Sequence, residues 1–199
     1  MKILFAALAY FLGAFPSGYL FFRISEKKDI RSFGSRATGA TNVLRLKGWK
    51  YALPVAIIDL LKGFLPAFLA LKIFRDPGLA AISASLAVLG HCFPVYIGFK
   101  GGKGVATAGG AMIALALKPT LLSLAVFVLT VALTRFVSLA SILAALAFPF
   151  FMLLFKMPAF LILLSLPILL IILIRHAENI KRLIDGQERR FGQKIKIGQ

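Results

Sequence analysis

The chain is poor in the residues from which most active sites and cross-links are built. Its 199 residues include one cysteine, two histidines and seven acids. The lone cysteine, Cys92, sits in an apolar run, which excludes a disulfide framework and a thiolate metal site and leaves it as a small packing residue. Seven scattered carboxylates supply no cluster of aspartates for magnesium, so metal-dependent phosphatidyl transfer lacks its ligands. Neither His91 nor His176 is followed at the fifth position by aspartate, and no Gly-x-Ser-x-Gly elbow occurs. A Walker loop is excluded too, because Gly104 follows Lys103 where Ser or Thr is required. No metal and no cofactor are expected.

What the chain has in excess is apolar length and positive charge. Hydrophobic residues make up 60%, the mean hydropathy is +0.91, and 24 Lys and Arg give a net charge of +17. That combination identifies an integral membrane protein and points to anionic headgroups or phosphorylated substrates. Nucleic acid is not expected as a partner, since no soluble basic domain is present to bind it. Residues 3–22 resemble a signal sequence, but they carry no small-residue cleavage site and run into a basic segment, so they are expected to be a retained helix.

Near-spanning apolar runs predict helices at about 3–22, 51–74, 79–99, 136–155 and 158–182, each able to supply the roughly 20 residues that cross the hydrocarbon. Two shorter helices, 104–117 and 120–134, are expected to meet at Lys118 and Pro119, because proline lacks a backbone donor and disfavours helix in the residue before it. The expected fold is an all-α membrane bundle of seven transmembrane helices, two of them short, forming a single domain over 1–199. With seven spans, residues 23–50 (eight basic residues) and the tail from Arg175 (seven) lie on one side with Lys100, Lys103 and Arg135. Only Lys2, Lys72, Arg75, Lys118 and Lys156 fall on the other. Short cytoplasmic loops collect Lys and Arg, so the N-terminus is expected outside and the C-terminus in the cytoplasm.

Polar chemistry gathers at that basic side in three places. In "GFKGGKGVAT", 98–107, glycines 101, 102 and 104 allow the backbone close to a ligand, and the free donors of a helix starting near Gly104 lie beside Lys103. That is a phosphate-type loop; its bland alternative is a tight re-entry turn whose lysines snorkel to the interface, the reading preferred for Lys100. In "GSRATGATNVLR", 34–45, a helix starting near Thr38 sets Thr38, Thr41, Asn42 and Arg45 on one face, which suits a phosphorylated polyol. A solvated interfacial face is the alternative there. In "RHAENIKRLIDGQERRFG", 175–192, His176 and Asn179 share a helical face, whereas Lys181, Arg182, Arg189 and Arg190 read as a basic tail on anionic lipid. Within the membrane, Asp59 and Lys62 form a pair three residues apart, read either as functional or as a structural ion pair. Ser138 and Ser141 open the sixth helix, and Ser141 is placed to reach a headgroup-level site.

Taken in order, "GSRATGATNVLR", "DLLKG", "GHCFPVYIGFKGGKGVAT", "RFVSLAS" and "RHAENIKRLIDGQE" resemble the bacterial acyl-phosphate:glycerol-3-phosphate acyltransferase family over essentially the whole chain. The resemblance implies an enzyme of the bacterial inner membrane, active as a monomer with its site facing the cytoplasm. It would move a fatty acyl group from acyl phosphate to the 1-hydroxyl of glycerol 3-phosphate, giving lysophosphatidic acid and inorganic phosphate. Its partners would be these two small molecules and membrane lipid. Carried over by position, the resemblance implies catalytic roles for Ser35, Arg45, Lys103, His176 and Asn179. Substrate binding falls to Thr41, Asn42, Gly101, Gly102, Gly104 and Ser141. The family usually has Gly and Asn after the serine at 35; here Arg36 and Ala37 stand there, removing an amide and adding a cation. A transporter or binding protein for a phosphorylated solute shares the basic pocket but should show polar breaks at mid-membrane. A lipid-surface scaffold explains the charge and leaves the glycine loop without a purpose.

Overall fold

The computed structural model describes residues 1–195. Ten α-helices run through them: α1 (Lys2–Ala14), α2 (Ser17–Glu26), α3 (Ala40–Lys47), α4 (Trp49–Leu69), α5 (Pro77–Cys92), α6 (Val105–Leu115), α7 (Leu117–Thr134), α8 (Val137–Leu154), α9 (Ala159–Arg175) and α10 (Ala177–Ile184). Five continuous or jointed segments are long and apolar enough to cross a membrane: Lys2–Glu26, Trp49–Phe74, Pro77–Ile97, Leu117–Thr134 and Val137–Leu154. The pair α9 and α10, bent by 53°, makes a sixth when counted as one. The protein is an all-helical, multi-pass membrane protein.

Three joints differ from the expected helices, each for a backbone reason. The first apolar run breaks at Phe15 and Pro16, between α1 and α2. Proline removes a donor and frees a carbonyl that hydrocarbon cannot solvate. Lys62 Nζ on α4 donates to the Phe15 carbonyl at 2.9 Å and sits 2.9 Å from Asp59 Oδ1, while Ser17 Oγ donates to the same Asp59 oxygen at 2.6 Å. The Asp59–Lys62 pair therefore holds the broken helix against α4. The second joint lies at Ala116, two residues before the expected break. Pro119 is in the first turn of α7, where its missing N–H costs no hydrogen bond, so it begins a helix instead of ending one. The third is at His176, where the expected helix over 158–182 turns from α9 into α10.

The basic loops are tied together at one end of the bundle. Arg31 Nη1 donates to the Ile97 carbonyl at 2.6 Å, Arg175 reaches the carbonyls of Gly101 and Gly102, and Arg135 and Phe191 bond through their backbones. At the other end Lys2 Nζ pairs with Asp76 Oδ2 at 2.8 Å. Because Lys103, before α6, and Ser138, in α8, both reach the Asn179–Glu188 pair, α6 and α7 leave that end and return to it. Helices α4 and α6 cross tightly: a Cβ on Gly63 would lie 1.9 Å from the Thr107 carbonyl oxygen, and one on Gly110 2.0 Å from that of Leu60. Small residues permit such an approach in lipid, and here it brings the start of α6 beside the Asp59–Lys62 stretch of α4. The main core, including Val88, Cys92, Ala111, Met152 and Ile168, packs α5, α6, α8 and α9 together.

Candidate active site

A cavity of about 450 Å³ opens at the basic end and extends between α6, α7, α8 and α9. Ser35, Thr41, Asn42, Arg45, Lys103, Gly104, Ser141, His176 and Asn179 all line it, although they come from four separate stretches of chain. Gly101 and Gly102 lie behind the wall. Their carbonyls each accept a 3.0 Å bond from Arg175, whose guanidinium also lies over the Phe93 ring. The His91 ring supports the loop from beneath, so closely that a Cβ at Gly102 would lie 2.0 Å from His91 Nε2. Gly104 then starts α6 at φ 84, a conformation open to glycine at little cost, with Cys92 and Val88 against it.

The segment before α3 is shaped by Asn42. Its Oδ1 accepts the Ser35 N–H at 3.0 Å, and its Nδ2 donates to the carbonyls of Ala37 (2.9 Å) and Phe33 (3.2 Å). Both amide hydrogens are thus committed to a turn that presents Ser35 to the cavity. One turn further along α3, Arg45 is only 7% exposed, and burial lowers its pKa from 12.5 while leaving a permanent cation. Arg36 has φ 58 and is exposed. A glycine fits that left-handed conformation without strain, whereas an arginine costs about 1 kcal/mol or more there.

Lys103 donates to Asn179 Oδ1, and Asn179 Nδ2 donates to Glu188 Oε1 at 2.8 Å. Burial pushes the Lys103 ammonium down to about 8, against the attraction of Glu188 and with the help of Arg182, Arg45 and Arg175. His176 is 2% exposed, and its Nδ1 lies 2.8 Å from the Ile172 carbonyl. A carbonyl only accepts, so Nδ1 carries the hydrogen and Nε2 is left with a lone pair at the cavity wall. Ser141 Oγ donates to Val137 O at 2.8 Å, which leaves its oxygen free to accept.

Sequence reasoning missed Glu188. It is 7% exposed and gathers Ser138 Oγ (2.9 Å), Asn179 Nδ2 and Arg182 Nε (2.9 Å). Burial alone would raise its pKa, but the hydrogen bonds from Arg182, Asn179 and Ser138 hold it below 4.5. The basic tail is also folded against the site: α10 ends at Ile184, Arg45 Nη2 reaches the Arg189 carbonyl, and Ile195 N–H donates to the Arg45 carbonyl at 3.0 Å. Glu188 is one of three acids, with Glu178 and Asp185, among the seven basic residues of the tail, and no local pattern singled it out.

A cavity lined by buried Arg45, half-buried Lys103 and an apolar groove suits a phosphate joined or brought close to a hydrocarbon chain. The family model of glycerol-3-phosphate acyltransferase matches residues 3–186. The chain belongs to the glycerol-3-phosphate acyltransferase family. A glycerol-3-phosphate acyltransferase of Thermoanaerobacter sp. (strain X514) is 36% identical over 195 residues, covering 98% of each chain. That of Synechococcus elongatus is 42% identical over 198 residues, covering 96% of this chain and 94% of the relative. Among solved structures, PlsY, an integral membrane glycerol 3-phosphate acyltransferase, superposes in its glycerol 3-phosphate form with a TM-score of 0.91 at 39% identity, covering 96% of both chains. Its lysophosphatidic acid form superposes with a TM-score of 0.88 at 38% identity. As a member of the glycerol-3-phosphate acyltransferase family, the protein is an acyltransferase, and the paired cations and the groove have their counterpart in a phosphorylated acceptor and a fatty chain.

Proposed function

We propose that the protein transfers a fatty acyl group from acyl phosphate to the 1-hydroxyl of glycerol 3-phosphate, releasing inorganic phosphate and lysophosphatidic acid. The observation that carries this reading is the junction of two cations, buried Arg45 and half-buried Lys103, with an apolar groove in one cavity. Two phosphate-bearing substrates repel one another, and two cations offset that repulsion. Holding both reactants in one site contributes proximity worth up to about 7–11 kcal/mol. Acyl phosphate is a mixed anhydride with a good leaving group, so attack by the glycerol hydroxyl on the acyl carbon breaks the C–O bond to phosphate directly.

In this reading Arg45 and Lys103 hold the phosphates and stabilise the charge that develops on the departing one. Ser35, Thr41 and Ser141 supply hydroxyls to the glycerol and phosphate oxygens, and Gly104 opens α6 toward them. Asn42 shapes the turn that carries Ser35, while Gly101 and Gly102 carry Lys103. Asn179 aims the Lys103 ammonium. His176 Nε2 orients the attacking hydroxyl, whose proton passes to that nitrogen or to a substrate phosphate oxygen.

We further assign the protein to a bacterial inner membrane, with seven crossings, the N-terminus outside and the site facing the cytoplasm. The joining of its basic loops at one end supports that orientation. All the residues assigned roles here come from a single chain, and we take the monomer as the working unit. The transport reading loses its support, because the site residues sit at one end of the bundle and not at its middle.

The test uses detergent-purified protein with glycerol 3-phosphate and either palmitoyl phosphate or palmitoyl-CoA. Lysophosphatidic acid and phosphate formed from palmitoyl phosphate alone support the reading; product from palmitoyl-CoA, or none from either donor, overturns it.

A further inference from the structure

The cavity continues well past the cations. Along α8, Ser138, Ser141, Ala145, Phe148 and Pro149 line it at helical spacing, a run of twelve residues that rises about 16 Å. Its deep part is bounded by Met112 of α6 and Ser165 of α9. Those same two side chains wall a second, separate void of about 10 Å³, enclosed on its far side by Ala81, Leu115, Met152 and Leu161. Met112 is 6% exposed and belongs to the main core, and Ser165 Oγ donates to the Ile162 carbonyl of its own helix at 2.7 Å. Neither residue takes part in the reaction geometry described above. Both stand as a partition between the groove and an empty space large enough for about one water-sized sphere.

We propose that Met112 and Ser165 set the length of acyl chain the enzyme accepts. This rests on the acyl-transfer reading. The acyl phosphate is anchored at its charged end, so chain length alone decides how far its terminal methyl reaches. A chain that fills the groove ends against the partition, and each further methylene has to displace Met112 or leave the groove. Methionine is flexible, so this limit is graded for one methylene and firm for several. Cutting Met112 back to alanine joins the void to the groove and lengthens it. Enlarging Ser165 to leucine fills the groove from the α9 side and shortens it. One methylene in an apolar pocket changes discrimination by about 10- to 200-fold, so either change is large enough to read.

The experiment measures kcat/KM with saturated acyl phosphates from decanoyl to eicosanoyl, in one detergent, for wild type, Met112→Ala and Ser165→Leu. For Met112→Ala, the ratio of donors longer than the wild-type optimum to the optimum itself should rise about tenfold. For Ser165→Leu the same ratio should fall about tenfold, and the KM for glycerol 3-phosphate should stay at its wild-type value in both. Met112→Leu, which keeps the volume, should leave the profile unchanged, and Met112→Val should shift it as Met112→Ala does but less, which covers loss of folding in the alanine variant. Profiles that superimpose on wild type while the shortest donors are turned over normally would overturn the partition. Failure of wild type with every donor in the series would instead sink the acyl-transfer reading.

Discussion

Asn179 joins the two halves of the site: its Oδ1 accepts from Lys103 Nζ and its Nδ2 donates to Glu188 Oε1 at 2.8 Å. The phosphate-type loop before α6 is thereby fixed to the folded-back tail, and the tail in turn to α8 through Ser138. A buried carboxylate thereby becomes, through Asn179, the anchor of Lys103.

Glu188→Ala removes three hydrogen bonds, one of them to the Arg182 cation. The expected cost is about 2 kcal/mol, since charged hydrogen bonds contribute about 1.5–3 kcal/mol. At this chain length that lowers Tm by about 4–8 °C. Because the folded-state pKa of Glu188 lies below 4.5, its contribution is present above that value and is lost as pH falls through the folded pKa. Thermal unfolding of wild type and variant in detergent should therefore converge on acidification. Equal Tm values at neutral pH would remove Glu188 from the architecture.

Lys103 sets an alkaline limb. Its pKa of about 8 means that the ammonium form, which holds phosphate, is lost as pH rises through that value. Glycerol 3-phosphate is already a dianion there, with its second phosphate pKa near 6, so the limb belongs to the enzyme. The measured kcat/KM for glycerol 3-phosphate should fall above about pH 8, and Lys103→Arg should flatten that fall. A limb unchanged in Lys103→Arg would assign it to another group.

Arg175 holds the loop from outside the cavity through two 3.0 Å bonds to the carbonyls of Gly101 and Gly102. Lysine cannot reproduce that fork. Arg175→Lys should raise the KM for glycerol 3-phosphate about tenfold with a smaller change in kcat, measured by initial rates at saturating donor. A kcat loss with constant KM would place Arg175 in the chemistry itself.

Arg36 bears a left-handed φ of 58 that a glycine takes without strain. Relief of about 1–2 kcal/mol is opposed by the extra unfolded-state freedom of glycine, worth about 0.4–1 kcal/mol. Arg36→Gly should raise Tm slightly and never lower it by more than about 1 °C. A fall of several degrees would mean the arginine side chain contributes contacts of its own.

Much of this was legible along the chain, because polar residues in a membrane protein stand out against apolar runs. The Lys103 loop, the Arg45 face and the His176–Asn179 pair are each local patterns, and their common placement at one end followed from the charge of the loops. The breaks were less legible. Pro119 looks like a terminator, yet becomes a helix start because Ala116 breaks two residues earlier. The break at Pro16 is completed by Lys62, 47 residues from Phe15, which joins the Ser17 N–H in satisfying the Phe15 carbonyl. Glu188 was illegible for the same reason: Ser138 is 50 positions away, and one of three acids in a basic tail reads as solvated until the fold closes over it.

The most direct test of two cations holding two phosphates is single-turnover transfer from palmitoyl phosphate to glycerol 3-phosphate, with lysophosphatidic acid and phosphate quantified together. Wild type should form them one to one, and Arg45→Ala and Lys103→Ala, each still folded by thermal unfolding, should each slow the step about a hundredfold or more. Wild-type rates in either folded variant, or phosphate released without lysophosphatidic acid, would contradict the account.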